Sequence, residues 1–443
     1  MGSQGGTKEE SSENGSGIAF FSLFAVQITM LLNAGTVNDQ PNRLGVALMT
    51  AAMLDEGAGK RTSLEIADAV DYLGANLGAG ADLHTSGISL FTPTSKLDDA
   101  MGIMADVALH PTFPQNELDR LRKERLTGLL QAHDQPRAIA GAAFRQLVFG
   151  KDHPYGRTPS GTEASLKAMT VSDLKSFHSS YYRPNNATVI VVGDVSRERI
   201  QKMLTDLYGT WKKGEMSKVH VAAAPQVGPR AVYLIDKSEA PQSELRIGRV
   251  GLDRTTKEYF PLTVMNTVLG GSFSSRLNQN LREPHGYTYG AGSSFDFRPS
   301  PGPFMAASAV KTDVTDESLT EFMKELNGIL LPIPAEELTR AKNYVALGYP
   351  GDFQSVQQIA GKLSEMVVYD LPGDYFNTYI DRVLAVTESD VLRAGKASLD
   401  TDRLLIVVVG DKTKVEKDVE ALGLGPIKNL SIEDVLGKKP VIE

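Results

Sequence analysis

Cysteine is missing from all 443 residues of the sequence. Its absence excludes a thiol nucleophile, disulfide bonds and a zinc site with cysteine ligands. A chain without thiols also suits an oxidising compartment, where stray thiols are a hazard. Any chemistry that this protein performs therefore rests on other side chains.

Excess positive charge and long apolar runs are also missing. The formal net charge of −8 argues against nucleic acid or an anionic membrane surface as the main partner. The apolar run Ile18–Leu32 is short for a membrane span, and the mainly acidic residues before it do not suit a signal peptide. We therefore expect no membrane span, but two strands at Ile18–Phe24 and Val26–Asn33. Residues 1–17 are rich in Gly and Ser, and we expect a disordered lead or a cloning remnant.

The usual motifs for metals and nucleotides are missing as well. No two of the seven histidines stand three or four residues apart, so none forms a metal-binding pair on one helix face. Isolated histidines such as His84 and His153 are more often structural than metal-binding. Gly270 and Gly271 lack the spacing of a dinucleotide-binding motif, and the sequence has no Walker loop and no nucleophile elbow.

The sequence does contain an internal repeat. Three pairs of similar segments are Thr170–Leu174 with Thr387–Val391, Val191–Asp194 with Val408–Asp411, and Glu117–Arg120 with Glu337–Arg340. The first two pairs have the same separation along the chain, and the third pair has nearly the same one. Because 443 residues are also too many for one core, we predict two homologous α+β domains, each a mostly antiparallel sheet with helices packed on one face.

The domain boundaries are predicted from this repeat and from composition. We expect an N-terminal domain over residues 18–211, a linker rich in Lys, Gly and Pro over 212–229, and a C-terminal domain over 230–443. Near the start, apolar residues on nearly every face predict a buried helix over Pro41–Glu56. Ser63 is the predicted cap of the next helix.

One stretch, residues 269–294, combines a short polar helix, a Pro and Gly break, and an extended segment. Arg282 falls in the last helical turn. Tyr287 and Tyr289 stand two residues apart on the extended segment, so we expect both to face one side. A cation and a phenol in this arrangement suit the binding and polarisation of a carbonyl. They equally suit a hydrogen-bonded pair in an ordinary core.

Several segments together resemble the pitrilysin/insulinase-type zinc peptidases, the inverzincins. The segments are G-x-A-x-x-x-x-x-M over Gly45–Met53, HPYGR, YYRPNNATVIVVGD, APQSELRIG and LGGSFSSRLNQNLREPHGYTYG. The similarity extends over essentially the whole chain from about Ala25. It implies two homologous halves that close like a clamshell around a peptide.

Active members of that family carry H-x-x-E-H on the first helix, where two His bind zinc and the Glu activates a water. The resemblance assigns these positions to Leu48, Ala51 and Ala52, none of which can ligate a metal or move a proton. The distal glutamate ligand falls on or near Thr127 or Gly128. The resemblance therefore implies no cofactor in this chain and a zinc ion in a partner subunit.

The second half keeps the other part of the family's active site. Family peptidases use an Arg and a Tyr seven residues apart, and Arg282 and Tyr289 have that spacing. The resemblance implies that Arg282 holds the substrate and that Tyr289 donates to the oxyanion, leaving Tyr287 to line the cavity. It also assigns substrate contact to Gly270, Gly271 and Ser272, which fall near the glycine-rich loop of the mitochondrial processing peptidase α subunit.

The expected function is that of a zinc-free subunit of a heterodimeric zinc metallopeptidase, inactive alone. Its partners would be a homologous H-x-x-E-H subunit and an unfolded peptide. The alternative is a proteolytically silent capture or scaffold subunit, like the core subunits of the respiratory bc1 complex. A third interpretation is a homodimer without a substrate. Lack of cysteine and resemblance to bacterial peptidases imply a periplasmic location, with the cytoplasm as the alternative.

Overall fold

The computed structural model describes residues 24–216 and 219–441. In the first half, the strands are β1 Ala25–Leu32, β2 Gly57–Ala58, β3 Arg61–Thr62, β4 Asn76–Ala81, β5 Ser86–Pro93 and β6 Ala187–Gly193. The helices are α1 Val46–Ala52, α2 Ser63–Tyr72, α3 Leu97–Leu109, α4 Gln115–Ala132, α5 Pro136–Phe149, α6 Glu163–Ala168, α7 Val171–Tyr181 and α8 Arg197–Tyr208.

The second half begins after a segment in which residues 209–216 and 219–230 form no helix or strand. Its strands are β7 Ala231–Asp236, β8 Gln242–Val250, β9 Thr288–Phe295, β10 Pro303–Lys311, β11 Leu405–Gly410 and β12 Ile427–Leu430. Its helices are α9 Tyr259–Leu269, α10 Arg276–Arg282, α11 Thr315–Gly328, α12 Ala335–Gly348, α13 Val356–Tyr369, α14 Tyr379–Ala385, α15 Glu388–Ser398, α16 Lys412–Ala421 and α17 Ile432–Leu436.

The two main sheets share one strand order. In the described residues the first sheet runs β4–β5–β1–β6, with every neighbouring pair antiparallel. The second runs β9–β10–β8–β11 with the same antiparallel pairing, and then continues through β7 and β12 in parallel. The predicted α+β fold with two mostly antiparallel domains is confirmed.

Helix caps repeat along with the strands. The Thr170 side chain and the Asp173 carboxylate form a capping box at the start of α7. Thr387 and Asp390 form the same box at the start of α15. Each box satisfies two backbone N–H groups that the first helical turn leaves without partners. The repeated sequence therefore encodes a repeated local structure.

Helix α1 is shorter than predicted. The predicted helix Pro41–Glu56 is wrong in extent, because Gly45 has φ of 88° and the helix begins only at the next residue. The Asp39 carboxylate accepts hydrogen bonds from the backbone N–H groups of Gly45 at 2.7 Å and Ala47 at 3.0 Å. A side chain at Gly45 would also meet the Ser160 carbonyl at 2.8 Å. Glycine and a carboxylate cap thus fix the start of α1.

The predicted cap of α2 is also wrong by one residue. Thr62, not Ser63, accepts from the Glu65 N–H, and the Glu65 carboxylate accepts from the Thr62 N–H in return. The glutamate at the third helical position decides between the two hydroxyl residues, since only Thr62 has the capping-box spacing.

One helix from each half packs on the sheet of the other half. Helix α5 packs on β8 and β11 of the second sheet, and α13 packs on β1 and β6 of the first. The α5 contact is an apolar core, in which Ile139, Ala140 and Phe144 meet Val407 and Val409. Helix α13 follows α5 along the chain by the same interval by which α12 follows α4, so the exchange follows the repeat. The outer face of each sheet is therefore covered by a helix of the opposite half.

Two sequence expectations concern residues that the structure does not describe. The strand expected at Ile18–Phe24 lies outside the described residues, apart from Phe24, and so does the lead expected over residues 1–17. Across residues 24–216 and 219–441, no helix combines the length and the apolar composition needed to cross a bilayer.

Candidate functional site

A tight turn joins α10 to β9. The Gly286 N–H donates to the Arg282 carbonyl at 3.0 Å, and the Tyr287 N–H donates to the Leu281 carbonyl at 3.0 Å. Gly286 has φ of 62°, the left-handed conformation that glycine adopts without strain. This arrangement ends the helix as the sequence predicted and leaves Arg282 in the last helical turn.

Tyr289 lies in a β-bulge of β9. Ala291 pairs with Ser308 and Thr288 pairs with Val310, so Tyr289 and Gly290 together oppose Ala309. The Thr288 hydroxyl holds the bulge by donating to the Ala309 carbonyl at 2.6 Å. A bulge redirects side chains from the regular alternation of a strand. Tyr289 is 92% exposed, and it contributes almost nothing to the core of this chain.

Arg282 and Tyr287 have different environments from Tyr289. The Arg282 guanidinium carbon lies 4.8 Å from the centroid of the Phe273 ring, and its Nε lies 3.5 Å from Glu283 Oε1. Tyr287 is half-buried and stacks on His285 at 4.8 Å between ring centroids. Burial, followed by the carboxylates of nearby α11, raises the pKa of Tyr287. Tyr287 and Tyr289 thus differ in exposure and in the groups that surround them.

No recorded hydrogen bond, ion pair or cation–π contact in the described part of the chain joins Arg282 to Tyr289. The expectation of a buried, mutually bonded pair in an ordinary core therefore has no support at these two residues. Arg282 keeps 40% of its side chain exposed. Both groups are open to a ligand at the surface of the second half.

The glycine loop after α9 packs tightly against β9. A Cβ at Gly270 would lie 2.2 Å from the Ser293 backbone nitrogen, and one at Gly271 would lie 2.7 Å from Asn266 Nδ2. The Gly270 carbonyl accepts from the Ser293 N–H at 3.1 Å. These glycines have a packing reason that needs no ligand. Ser272 donates its hydroxyl to the Thr267 carbonyl at 3.1 Å.

The three first-half positions that the resemblance singled out lie on α1. Ala51 is fully buried, and Leu48 and Ala52 are half-buried. The Leu48 carbonyl accepts from the Arg125 guanidinium at 3.2 Å. Burial lowers the pKa of Arg125, whose Nε has no partner within the described residues. The side chains of Leu48, Ala51 and Ala52 themselves carry no group that could ligate a metal ion.

Within residues 24–216 and 219–441, no three His, Asp or Glu side chains come together in a way that would hold a metal ion. The two histidines that sequence analysis noted have structural partners. His84 Nε2 lies 2.7 Å from the Tyr155 hydroxyl, and His153 Nε2 lies 2.8 Å from the Ala222 carbonyl.

Two cavities near the site were not expected from the sequence. One, of about 580 Å³, lies between α9 and α12, and the other, of about 550 Å³, lies between the halves beside α13. Tyr259, Phe295 and Phe297 line both. The sequence contained little indication of these cavities, because the aromatic residues that line them are scattered widely along the second half. Phe273, the exposed ring beneath Arg282, was also missed, although it stands in the same stretch.

Two models of one family match different parts of the chain. The model described as Insulinase (Peptidase family M16) matches residues 24–148. The model described as Peptidase M16 inactive domain matches residues 168–345. The chain belongs to the peptidase M16 family.

Relatives of this M16 chain agree with that assignment. It is 26% identical to an uncharacterized zinc protease of Mycobacterium leprae over 325 residues, 73% of this chain and 72% of the relative. A crystal structure described as a peptidase M16 inactive domain from Pseudomonas fluorescens is 28% identical, with a TM-score of 0.82 over 88% of this chain and 93% of the other. A protease from Helicobacter pylori shares the fold, at 18% identity and a TM-score of 0.78 over 88% and 95% of the two chains.

Proposed function

We propose that this M16 chain is the zinc-free subunit of a heterodimeric zinc metallopeptidase. A homologous H-x-x-E-H subunit would hold the metal, and this chain would contribute Arg282 and Tyr289 in trans. The observation that carries the proposal is an asymmetry. Leu48, Ala51 and Ala52 offer no ligand and no base, while Tyr289 is presented on a bulge at 92% exposure.

The exposure of Tyr289 supports a role outside this chain. Burying an aromatic ring stabilises a protein, whereas a ring left in water contributes little. The bulge and the Thr288 hydrogen bonds nevertheless hold its backbone in a defined conformation. A preorganised phenol donor is suited to an oxyanion that develops in a peptide-hydrolysis transition state.

Arg282 would bind the peptide rather than donate a proton. Its guanidinium carries fixed charge and several donors, and it is oriented by the Phe273 ring on one side and the Glu283 carboxylate on the other. It would therefore hold a substrate carbonyl while Tyr289 faces the developing charge. The partner's zinc would supply the nucleophilic hydroxide.

The decisive experiment mixes the purified chain with its H-x-x-E-H partner and measures peptide cleavage. The wild-type chain should raise activity strongly. Tyr289→Phe should lower kcat of the mixture by roughly 100-fold with KM little changed, since one oxyanion donor is typically worth that much. Tyr72→Phe is the matched control, because Tyr72 is a tyrosine of similar exposure, 84%, on α2 of the first half.

Equal stimulation by wild type and Tyr289→Phe would end the catalytic proposal and favour the silent capture or scaffold subunit. Metal analysis of the isolated chain is a companion measurement, and stoichiometric zinc would contradict the proposal. We further propose a periplasmic location, because a chain without cysteine is insensitive to thiol oxidation there.

A further inference from the structure

The cavity between α9 and α12 has the size of a ligand site. Its volume of about 580 Å³ falls within the range of about 300–1,000 Å³ that is usual for binding pockets. Helix α9 contributes Thr263, Asn266 and Thr267, and α12 contributes Tyr344 and Gly348. The α9 residues have i, i+3 and i+4 spacing, so they share one face of the helix.

Helix α9 packs on α15 as α1 packs on α7 in the first half, and α12 follows α4 by the interval of the sequence repeat. Gly348 of α12 therefore corresponds to Gly128 of α4. Open space and polar side chains of α9 lie beside Gly348 in the second half.

Six of the 15 residues that line the cavity are aromatic. Tyr349 and Tyr379 stack with ring centroids 4.1 Å apart. Among the described residues, the one charged side chain that lines the cavity is Asp352, which is paired with Lys362 at 2.8 Å. Such walls favour a planar apolar group and disfavour a carboxylate, which Asp352 would repel.

We propose that this cavity binds a bulky aromatic side chain of the peptide substrate. The inference rests on the proposed function, in which Arg282 and Tyr289 hold the reacting peptide bond. Ser294 and Phe295 line the cavity and follow Tyr289 in β9 by five and six residues. At about 3.3 Å per residue, the cavity lies roughly 17 Å along the strand from Tyr289. An extended peptide therefore places its aromatic anchor about five residues from the reacting bond.

Binding to the full chain alone tests the pocket without the partner. Fluorescence anisotropy is measured with labelled unstructured peptides that differ at one position, Phe, Tyr, Ala or Glu. The Phe and Tyr peptides should bind at least about tenfold more tightly than the Ala peptide, because an aromatic side chain is buried. The Glu peptide should bind no better than the Ala peptide.

Gly348→Phe fills the cavity from its wall, and a Cβ there meets no atom within 4 Å, so the fold tolerates it. This variant should reduce the aromatic preference to less than twofold. Gly128→Phe is the matched control on α4, also without an atom within 4 Å of the new Cβ, and it should keep the preference.

The proposed pocket is overturned if the wild-type chain shows no preference for aromatic peptides. It is also overturned if Gly348→Phe keeps that preference. These outcomes are separable from the outcome for Tyr289. Strong stimulation of the partner without aromatic preference leaves the proposed function standing and removes the pocket. An aromatic preference together with full stimulation by Tyr289→Phe removes the catalytic role and leaves the pocket.

Discussion

At the scale of single residues, Tyr289 and Arg282 differ in what holds them. Tyr289 lies with Gly290 in a bulge of β9, and its side chain is exposed. Side-chain contacts orient Arg282, through Phe273 and Glu283. The seven-residue spacing seen in the sequence is therefore produced by a helix end, a left-handed glycine at Gly286 and a bulge. Spacing alone did not reveal the bulge, because no residue type specifies one.

Asp39 is a residue whose charge should affect stability. Burial raises the pKa of Asp39 to about 7, although the N–H donors of Gly45 and Ala47 oppose the shift. Between about pH 4 and 7 the folded chain then keeps a proton that the unfolded chain has released. The contribution of Asp39 to stability is therefore greatest below pH 4 and is lost as the pH rises to 7.

Asp39→Asn should consequently lose less stability than the wild type between pH 4.5 and 7.5, as measured by thermal unfolding. Asn has one acceptor oxygen where Asp has two. The free energy of unfolding of the variant should therefore also be lower by about 1 kcal/mol at every pH. A difference between the two proteins that stays the same at every pH would contradict the shifted pKa of Asp39.

At the scale of elements, the capping boxes of α7 and α15 are a matched pair. Thr170→Ala and Thr387→Ala should each lower the free energy of unfolding by about 1 kcal/mol, because each removes the same capping hydrogen bond. Chemical denaturation of the two variants measures this. Ser172→Ala is the control, since Ser172 is an exposed residue in the first turn of α7 and is not its cap, and it should cost distinctly less.

Element types were largely predictable, since caps and apolar periodicity are local. The strand expected at Val26–Asn33 is observed as β1, Ala25–Leu32. Helix α1 was overestimated because Gly45 adopts φ of 88° where another segment, at Ser160, approaches it. That contact is tertiary, and no pattern along the chain contains it.

The candidate site was predictable only in part for the same reason. Arg282 and Tyr289 lie in one continuous stretch, so their proximity in sequence was informative. The cavity wall draws on Tyr259, Tyr349 and Tyr379, which meet only after α9, α12 and α14 pack together. Helix α5 packs on the opposite half's sheet, and hydrophobic periodicity along a helix carries no information about its partner.

At the scale of the whole molecule, the exchange of α5 and α13 makes each half depend on the other. The α5 contact with the second sheet includes fully or nearly fully buried residues from both halves, such as Ala140 and Val407. The segment over 209–230 contributes no helix or strand in its described residues. Val221 and Val227 of that segment are buried in the same core, so packed contacts hold the halves together in addition to the continuous chain.

Proteolytic cleavage within residues 219–229 should accordingly leave the two halves together. We expect one peak in size-exclusion chromatography under native conditions, two bands after denaturation, and one cooperative thermal transition. Phe144→Ala weakens the α5 contact by about 3–5 kcal/mol and should promote separation of the cleaved halves. Halves of the cleaved wild-type chain that elute separately would show that the shared packing is too weak to hold them.

The position of α5 also has a consequence for synthesis on the ribosome. Helix α5 is complete at residue 149, whereas β11, the strand it covers, ends at residue 410. At translation rates of about 5–20 residues per second, roughly 10–50 s pass between the synthesis of α5 and that of β11. The apolar face of α5 stays uncovered by β11 during this time. During that interval the nascent chain exposes a surface that chaperones recognise, and the first half cannot finish folding before most of the second has been made.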